Sequence, residues 1–440
     1  MSKIDLTWLG LPPSYWKQLK LRQILKPFSE KNHADLPLLS VVREKGVIVR
    51  DIENDDNHNF IPDDLSDYKL VKVGQFAMNK MKAWQGSYGV SKFTGIVSPA
   101  YLVFDFNYDI DVDFFNYAIR CKKYVSFFGQ ASDGIRVGQW DLSMQRMKEI
   151  PFYLPPRPEQ DQIVRFLDWK VSRINKLINI KKKEIKELQL IRQSYIDSEL
   201  SNKNQSKEES KNWIVRPLKY FVTSNDDSLS NQTDDEYELD YLDISSVGRN
   251  YLKQNPVHYK FKDAPSRARR KVQEGDTIIS TVRTYLRSMI YIDEQLQDCI
   301  VSTGFSVLRP KRDVYPRLLN YVLSGNQFID EVICNSIGVS YPAINDTDLL
   351  RIKVALPVSL ELQKKMVEKL ESKLRNIDKL IDVVSKQIDE LHNLKNTLIS
   401  DVVTGQIDVR DVEIPNFEFE DESLDFSEDG LEVEVAEEED

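Results

Sequence analysis

Basic and aromatic residues alternate in the stretch "NKMKAWQGSYGVSK", which carries Lys80, Lys82, Trp84, Gln85, Ser87, Tyr88 and Lys92. Further along, "SRARRK" carries Arg267, Arg269 and Arg270, and "STVRTYLRS" carries Arg283, Thr284, Tyr285 and Arg287. Lys and Arg neutralise phosphates, Arg or Lys also pairs with guanine O6/N7, and Gln pairs with adenine on the major-groove edge. Any one of these residues is equally well explained as a solvated strand end. Their recurrence at matching places in two halves of the chain points to duplex DNA and to two reading heads. Arg136 joins them as a further candidate.

Residues for bond-making chemistry are missing from the pattern. No GxxxxGK[ST], strand-bound GxGxxG or HExxH occurs, and His33, His58, His258 and His392 have no ligand spacing. "LPPS" and "LPPR" lack the Asp or Asn that an amino-methyltransferase places before its prolines to hold a target base. The fragment "PDDLSDYK" (Pro62–Lys69) is nuclease-like, but its carboxylates crowd one short loop instead of converging from separate strands. The chain therefore reads as non-catalytic, with no metal and no cofactor of its own.

The elements that must position these residues form a tandem repeat. "INKLINIKKKEIKEL" from Ile174 returns as "IDKLIDVVSKQIDEL" from Ile377, and "GIVSPAYLVF" from Gly95 returns as "CIVSTGFSVL" from Cys299. "VGQFAMNKMKAW" is answered by "QEGDTIISTVRTY", and Trp16 and Trp213 each open a half. We expect a first globular domain over 1–157, a long helix over 158–200 and a linker over 201–212. A second globular domain over 213–358, a second long helix over 359–404 and a C-terminal segment over 405–440 follow. "AYLVFDF" and "DTIISTV" read as strands, "DVDFFNYAIRC" and "PRLLNYVLSG" as short helices, which makes each globular domain α+β.

Both long helices carry a heptad seam. It comprises Leu167, Val171, Ile174, Ile178, Ile185 and Leu188 in the first, and Leu370, Leu374, Ile377, Ile381, Val384, Ile388 and Leu391 in the second. Lys181 stands at the repeat position of Val384, and Arg192 and Lys395 also interrupt the seam. The expected arrangement is an antiparallel coiled coil, a rod of roughly 60 Å. Pro158 near the first turn, Ser359 as N-cap and Gly405 as stop mark the helix ends.

Composition narrows the class. A 440-residue chain with 41% hydrophobic and 30% charged residues can bury more than one core. It has no apolar run of membrane-spanning length, and "MSKIDLTWLGLPPSYW", which lacks a basic stretch followed by an apolar core, is not expected to act as a signal peptide. Three scattered cysteines fit a reducing cytoplasm. The net charge of −10 is concentrated, because residues 411–440 hold fifteen of the 70 acidic side chains and none of the 60 basic ones. The remaining body is slightly basic. The acidic tail is expected to be a disordered solubilising segment, or, on a sharper reading, a phosphate mimic that competes for a basic groove or a handle for a partner.

Taken in order, these motifs resemble the specificity (S) subunits of type I restriction-modification systems across nearly all of residues 1–410. "WLGLPPSYW" resembles the family's opening, and "GQFAMNKMKAWQGSYGVSKFTGIVSPAY" a first target recognition domain. "GDTIISTVRTYLRS", "CIVSTGFSVLRP" and "GVSYPAIN" resemble a second, which adds Ser340 and Tyr341 to the DNA-binding candidates. "LISDVVTGQIDVR" resembles the family's close, and the acidic tail departs from its pattern. The resemblance implies a non-catalytic, cytoplasmic subunit that reads a bipartite double-stranded DNA target, one half-site per recognition domain. Its helices would set the spacer and dock two methyltransferase (M) subunits that use S-adenosylmethionine. Restriction (R) subunits using ATP and Mg2+ would join that complex in host defence. Two readings compete with this one, a coiled-coil scaffold that binds only protein and a self-contained nuclease acting through Asp63 and Lys69.

Overall fold

The computed structural model describes residues 12–43, 45–50, 64–136, 139–200, 212–338 and 341–422, with backbone alone at 135, 136 and 139. Asp63, Ser340, nearly all of the linker and the tail beyond Glu422 lie outside the described residues.

Alternating β-branched and aromatic residues form the strands, and both halves of the chain build the same four-stranded antiparallel sheet. In the first half the spatial order is Leu25–Phe28, Tyr101–Phe106, Phe76–Asn79, Tyr88–Val90. In the second it is Val222–Ser224, Phe305–Pro310, Thr277–Ser280, Met289–Tyr291. Two short helices follow each sheet, Val112–Arg120 with Lys122–Gln130, and Pro316–Ser324 with Asn326–Cys334. Asp111 caps the first of these by accepting from the Asp113 and Phe114 amides, and Pro316 opens its counterpart. Phe115 packs edge-on against Phe76 of the sheet, ring centroids 5.3 Å apart, which fastens helix to sheet.

The long helices run Arg157–Leu200 and Leu360–Val403, 44 residues each. Ser359 Oγ accepts from the Leu362 amide at 3.4 Å, and Gly405, with φ of +71°, follows the second helix. A side chain at Gly405 would meet Pro13 Cδ at 2.3 Å, so both backbone and packing require glycine there.

The chain divides into two compact units, Met1–Lys182 with Lys386–Asp440, and Lys183–Ser385. Each long helix thus gives its N-terminal half to one unit and its C-terminal half to the other, a division that cuts across the sequence repeat. Within the second unit, Arg192 Nε donates to Asp378 Oδ1 at 2.8 Å and Lys369 Nζ to Glu199 Oε2 at 2.8 Å, an antiparallel register. Within the first, Lys395 Nζ donates to Asn175 Oδ1 at 3.2 Å. The interruptions at Arg192 and Lys395 therefore serve as polar ties between helices. Leu167, Val171, Ile174, Ile178, Leu370, Leu374 and Val384 are buried, and Ile185, Leu188, Ile377, Ile381, Ile388 and Leu391 are half-buried.

One hydrogen-bond lock joins helix to globular region in both units. Gln160 Oε1 accepts from the Asp111 amide at 2.8 Å while its Nε2 donates to Pro155 O at 2.8 Å. Gln363 repeats it with the Tyr315 amide at 2.7 Å and Pro357 O at 2.8 Å. Both glutamines are buried, so Gln363→Leu leaves the Tyr315 amide and the Pro357 carbonyl without their partner and is expected to cost about 1–3 kcal/mol of unfolding free energy. Denaturant titration of the variant checks this, and a cost within about 0.5 kcal/mol of zero would contradict it.

The acidic segment departs from expectation. Up to Glu422 it is laid along the first long helix instead of being disordered.

Candidate nucleic-acid interface

In each unit the turn between the third and fourth strands of the sheet carries a short 3-10 helix, Ala83–Gln85 or Thr284–Leu286. A left-handed residue ends each turn, Gly86 with φ of +96° and Arg287 with φ of +56°. Arg283 opens the second turn and is also left-handed, with φ of +49°. Such φ values are unfavourable for any side chain, and the surrounding contacts hold them.

Behind each turn lies the segment that follows the second short helix. In the first unit this is the hairpin Ser132–Arg136 with Gln139–Leu142. Trp140 stacks on Trp84 with ring centroids 5.1 Å apart, and Lys80 Nζ pairs with Asp141 Oδ2 at 2.5 Å. In the second unit Ala343 bridges Val282 and Ile337, Thr284 Oγ1 meets Ser336 Oγ at 2.8 Å, and the Arg283 guanidinium lies 4.8 Å over the Tyr341 ring. Tyr341 is 65% exposed and Ile337 78%, so this tip presents aromatic and aliphatic surface beside a cation. Arg267 is exposed and neighbours the turn through backbone bonds, Thr303 N to Arg267 O and Thr281 N to Gly304 O, both 2.9 Å.

The structure thus brings together Lys80, Lys82, Trp84 and Gln85 in one unit, and Arg267, Arg283, Tyr285, Arg287 and Tyr341 in the other. Other candidates are placed elsewhere. Tyr88 is fully buried among Phe76 and Phe128, and its hydroxyl donates to Ile119 O at 3.1 Å, so it is a core residue. Ser87 is buried beside it, and Thr284 is buried at the place that Ala83 occupies in the first unit. Arg270 is turned inward, donating to Phe305 O and lying 3.7 Å from Asp346 Oδ2. Burial lowers its guanidinium pKa and Asp346 opposes that shift. Arg269 covers the Phe261 ring at 4.7 Å. Lys92 is exposed at the far end of the strand from the turn. Arg136 lies in the hairpin, its side chain outside the described residues.

Trp140, Asp141 and Ile337 escaped the sequence reading because their role depends on packing against a turn far away in the chain. Lys69 of the nuclease-like fragment donates to Tyr101 O at 2.7 Å. Among the described residues no cluster of His, Cys, Asp and Glu could hold a metal ion, and no helix is long and apolar enough to cross a membrane.

Two matching four-stranded sheets, each with a turn of basic and aromatic residues, together with two long helices, define a tandem α+β protein. A family model described as the type I restriction modification DNA specificity domain matches residues 66–190 and 210–393. The chain belongs to this family. It is 25% identical over 308 residues to the type I restriction enzyme MjaVIII specificity subunit of Methanocaldococcus jannaschii, covering 67% of this chain and 70% of that one. The putative MjaX specificity subunit of the same organism is 26% identical over 284 residues, covering 62% and 63%. A solved chain from a study of complex assembly and conformational transition of the type I R-M system superposes with a TM-score of 0.55 at 16% identity, covering 90% of this chain and 100% of that one. The protein is accordingly a DNA sequence-recognition subunit of the type I restriction-modification class, and its role is recognition, not catalysis.

Proposed function

We propose that each globular region reads one half of a bipartite, asymmetric double-stranded DNA site through its turn and the segment behind it. The observation that carries this reading is the recurrence of one surface in both units with different side chains: Lys80, Lys82, Trp84 and Gln85 in one, Arg283, Tyr285, Arg287 and Tyr341 in the other. Equivalent placement with unlike chemistry suits two heads that read unlike sequences. The paired helices set the spacer between half-sites and dock two methyltransferase subunits. Exposed Leu177, Ile180 and Leu394 in the first unit, and Leu190, Leu380 and Val383 in the second, supply apolar surface for that docking. S-adenosylmethionine belongs to those subunits, and ATP with Mg2+ to restriction subunits that join them.

Duplex binding by the chain, alone or with its methyltransferase subunits, is expected to weaken steeply with salt, by about 10³-fold or more between 50 and 200 mM if six or more phosphates are contacted. Fluorescence anisotropy at several salt concentrations measures this. A salt-independent affinity would overturn the DNA reading. Methylome sequencing of a host with and without the chain then identifies the site and its spacer.

A further inference from the structure

The segment after Arg410 occupies a flank of the first unit's helix pair that its side chains are built to hold. Ser172, Asn175 and Asn179 are all more than nine-tenths buried, and their spacing puts them on one helix face. Ser172 Oγ donates to Glu418 O at 2.9 Å and accepts from the Glu420 amide at 2.8 Å. Asn175 Nδ2 donates to Glu420 O at 3.1 Å, and Asn179 Nδ2 to Asp421 O at 3.1 Å. These bonds go mainly to the backbone of the segment, which over residues 411–422 forms a strap along the helix. At its end the Glu422 carboxylate is shared by three basic groups, Lys395 Nζ at 2.6 Å, Lys182 Nζ at 3.1 Å and His392 Nε2 at 3.4 Å.

We propose that Lys182, Lys395 and His392 form a phosphate site for the backbone of duplex DNA, which the strap closes in cis by inserting Glu422. This rests on the DNA reading given above. Two ammonium groups dividing the oxygens of one carboxylate can hold two phosphate oxygens in the same way. The occupant is a polyanion rather than a protein, because the two flanks of this helix pair differ. Leu177, Ile180 and Leu394 lie half-exposed on the opposite flank, whereas the strapped flank is polar and cationic. The chain beyond the strap adds nine more acidic residues and no basic one in 423–440. Among the described residues the device is one-sided. The repeat positions of Ser172, Asn175, Asn179 and Lys182 are Arg375, Asp378, Asp382 and Ser385, and Asp378 is committed to Arg192.

Magnitudes make this closure useful. A tethered competitor acts at an effective concentration near the millimolar range. A strap whose own intermolecular Kd for the site is about 10⁻⁴ M then weakens a random duplex that uses this site by about tenfold. Target duplex is typically bound about 10³–10⁷-fold more tightly, through the reading heads, and does not depend on this site, so the strap costs it less. The strap therefore sharpens discrimination between target and bulk DNA.

The test is a comparison on a random-sequence duplex and on the target duplex, by anisotropy at fixed salt. The proteins are the full chain, Glu422→Gln, a chain ending at Arg410, and each with Lys182→Ala and Lys395→Ala. Ending the chain at Arg410 is expected to raise random-duplex affinity about tenfold, Glu422→Gln about threefold, and target affinity less in both cases. The lysine substitutions should have little effect in the full chain and should abolish the gain in the shortened one, a non-additivity that simple loss of negative charge would not produce. Glu422→Gln keeps the strap's backbone bonds, so the test survives if the shortened chain folds poorly. Salt-dependent duplex binding that no strap variant changes overturns the phosphate site alone, whereas absence of salt-dependent binding in every protein overturns the DNA reading itself. Strap removal that tightens binding of a methyltransferase subunit without DNA, and leaves duplex affinity unchanged, also overturns the phosphate site.

Discussion

Asp276→Ala is expected to lower the stability of the second unit by about 3 kcal/mol, the lower end of the range for breaking a buried ion pair. Asp276 is fully buried, and its carboxylate accepts from Arg309 Nε at 2.9 Å, from an Arg309 terminal nitrogen at 2.8 Å, and from the Gln273 amide at 3.0 Å. Removing it leaves a guanidinium across the strand and a turn amide without their acceptor. The lower end applies because Arg309 keeps Asp226 at 3.7 Å and some access to water, its side chain being 23% exposed. The first unit builds the same connection from different groups: Gln75 accepts from the Lys72 amide at 2.7 Å and donates to Asp105 at 2.6 Å. Gln75→Ala removes no charge and should cost about 1–2 kcal/mol. Denaturant unfolding of the two variants side by side measures the difference, and equal costs would show that the charge at Asp276 is irrelevant.

Arg283→Gly should separate stability from recognition. Arg283 sits at φ of +49°, a backbone that costs a side chain about 1–2 kcal/mol and glycine little. Relief of that strain offsets the lost contact with Tyr341, worth about 0.5–1 kcal/mol, and the greater freedom of glycine in the unfolded chain. Unfolding free energy is therefore expected to stay within about 1 kcal/mol of the parent. On the reading proposed above, affinity for targets with the correct half-site should fall by about 1–3 kcal/mol, while discrimination at the other half-site is untouched. Competition between duplexes altered in one half-site at a time gives the answer. A uniform loss across all duplexes would mark Arg283 as a phosphate contact, and an unchanged affinity would remove it from the interface. Arg287 makes the same point by comparison, since the first unit fills that left-handed position with Gly86. Retaining Arg where Gly is easier fits a side chain kept for what it touches, and here it reaches Asn326 Oδ1 at 3.3 Å and Asp330 Oδ1 at 3.5 Å.

The residue string alone determined the tandem organisation, the two long helices and their seams. Helical periodicity and caps are local, so Ser359, Gly405 and the spacing from Leu370 to Leu391 state their structure without help from elsewhere. It also determined that basic turns recur in both halves. Which side chains of those turns face outward was decided by tertiary packing. Tyr88 and Trp84 have the same claim on paper, yet the strand carrying Tyr88 turns its ring into Phe76 and Phe128, whereas Trp84 sits in the turn and meets Trp140. Repeat alignment held one usable clue, since Thr284 falls opposite the small, buried Ala83. Two features had no local signal at all. The compact units exchange helix halves because an antiparallel pair brings the end of one helix beside the start of the other. The acidic segment is ordered to Glu422 because Ser172, Asn175, Asn179 and Lys395, far away in the chain, converge on it. A disorder-prone composition describes what a segment lacks for a core of its own, and only the folded chain supplies a surface that holds it.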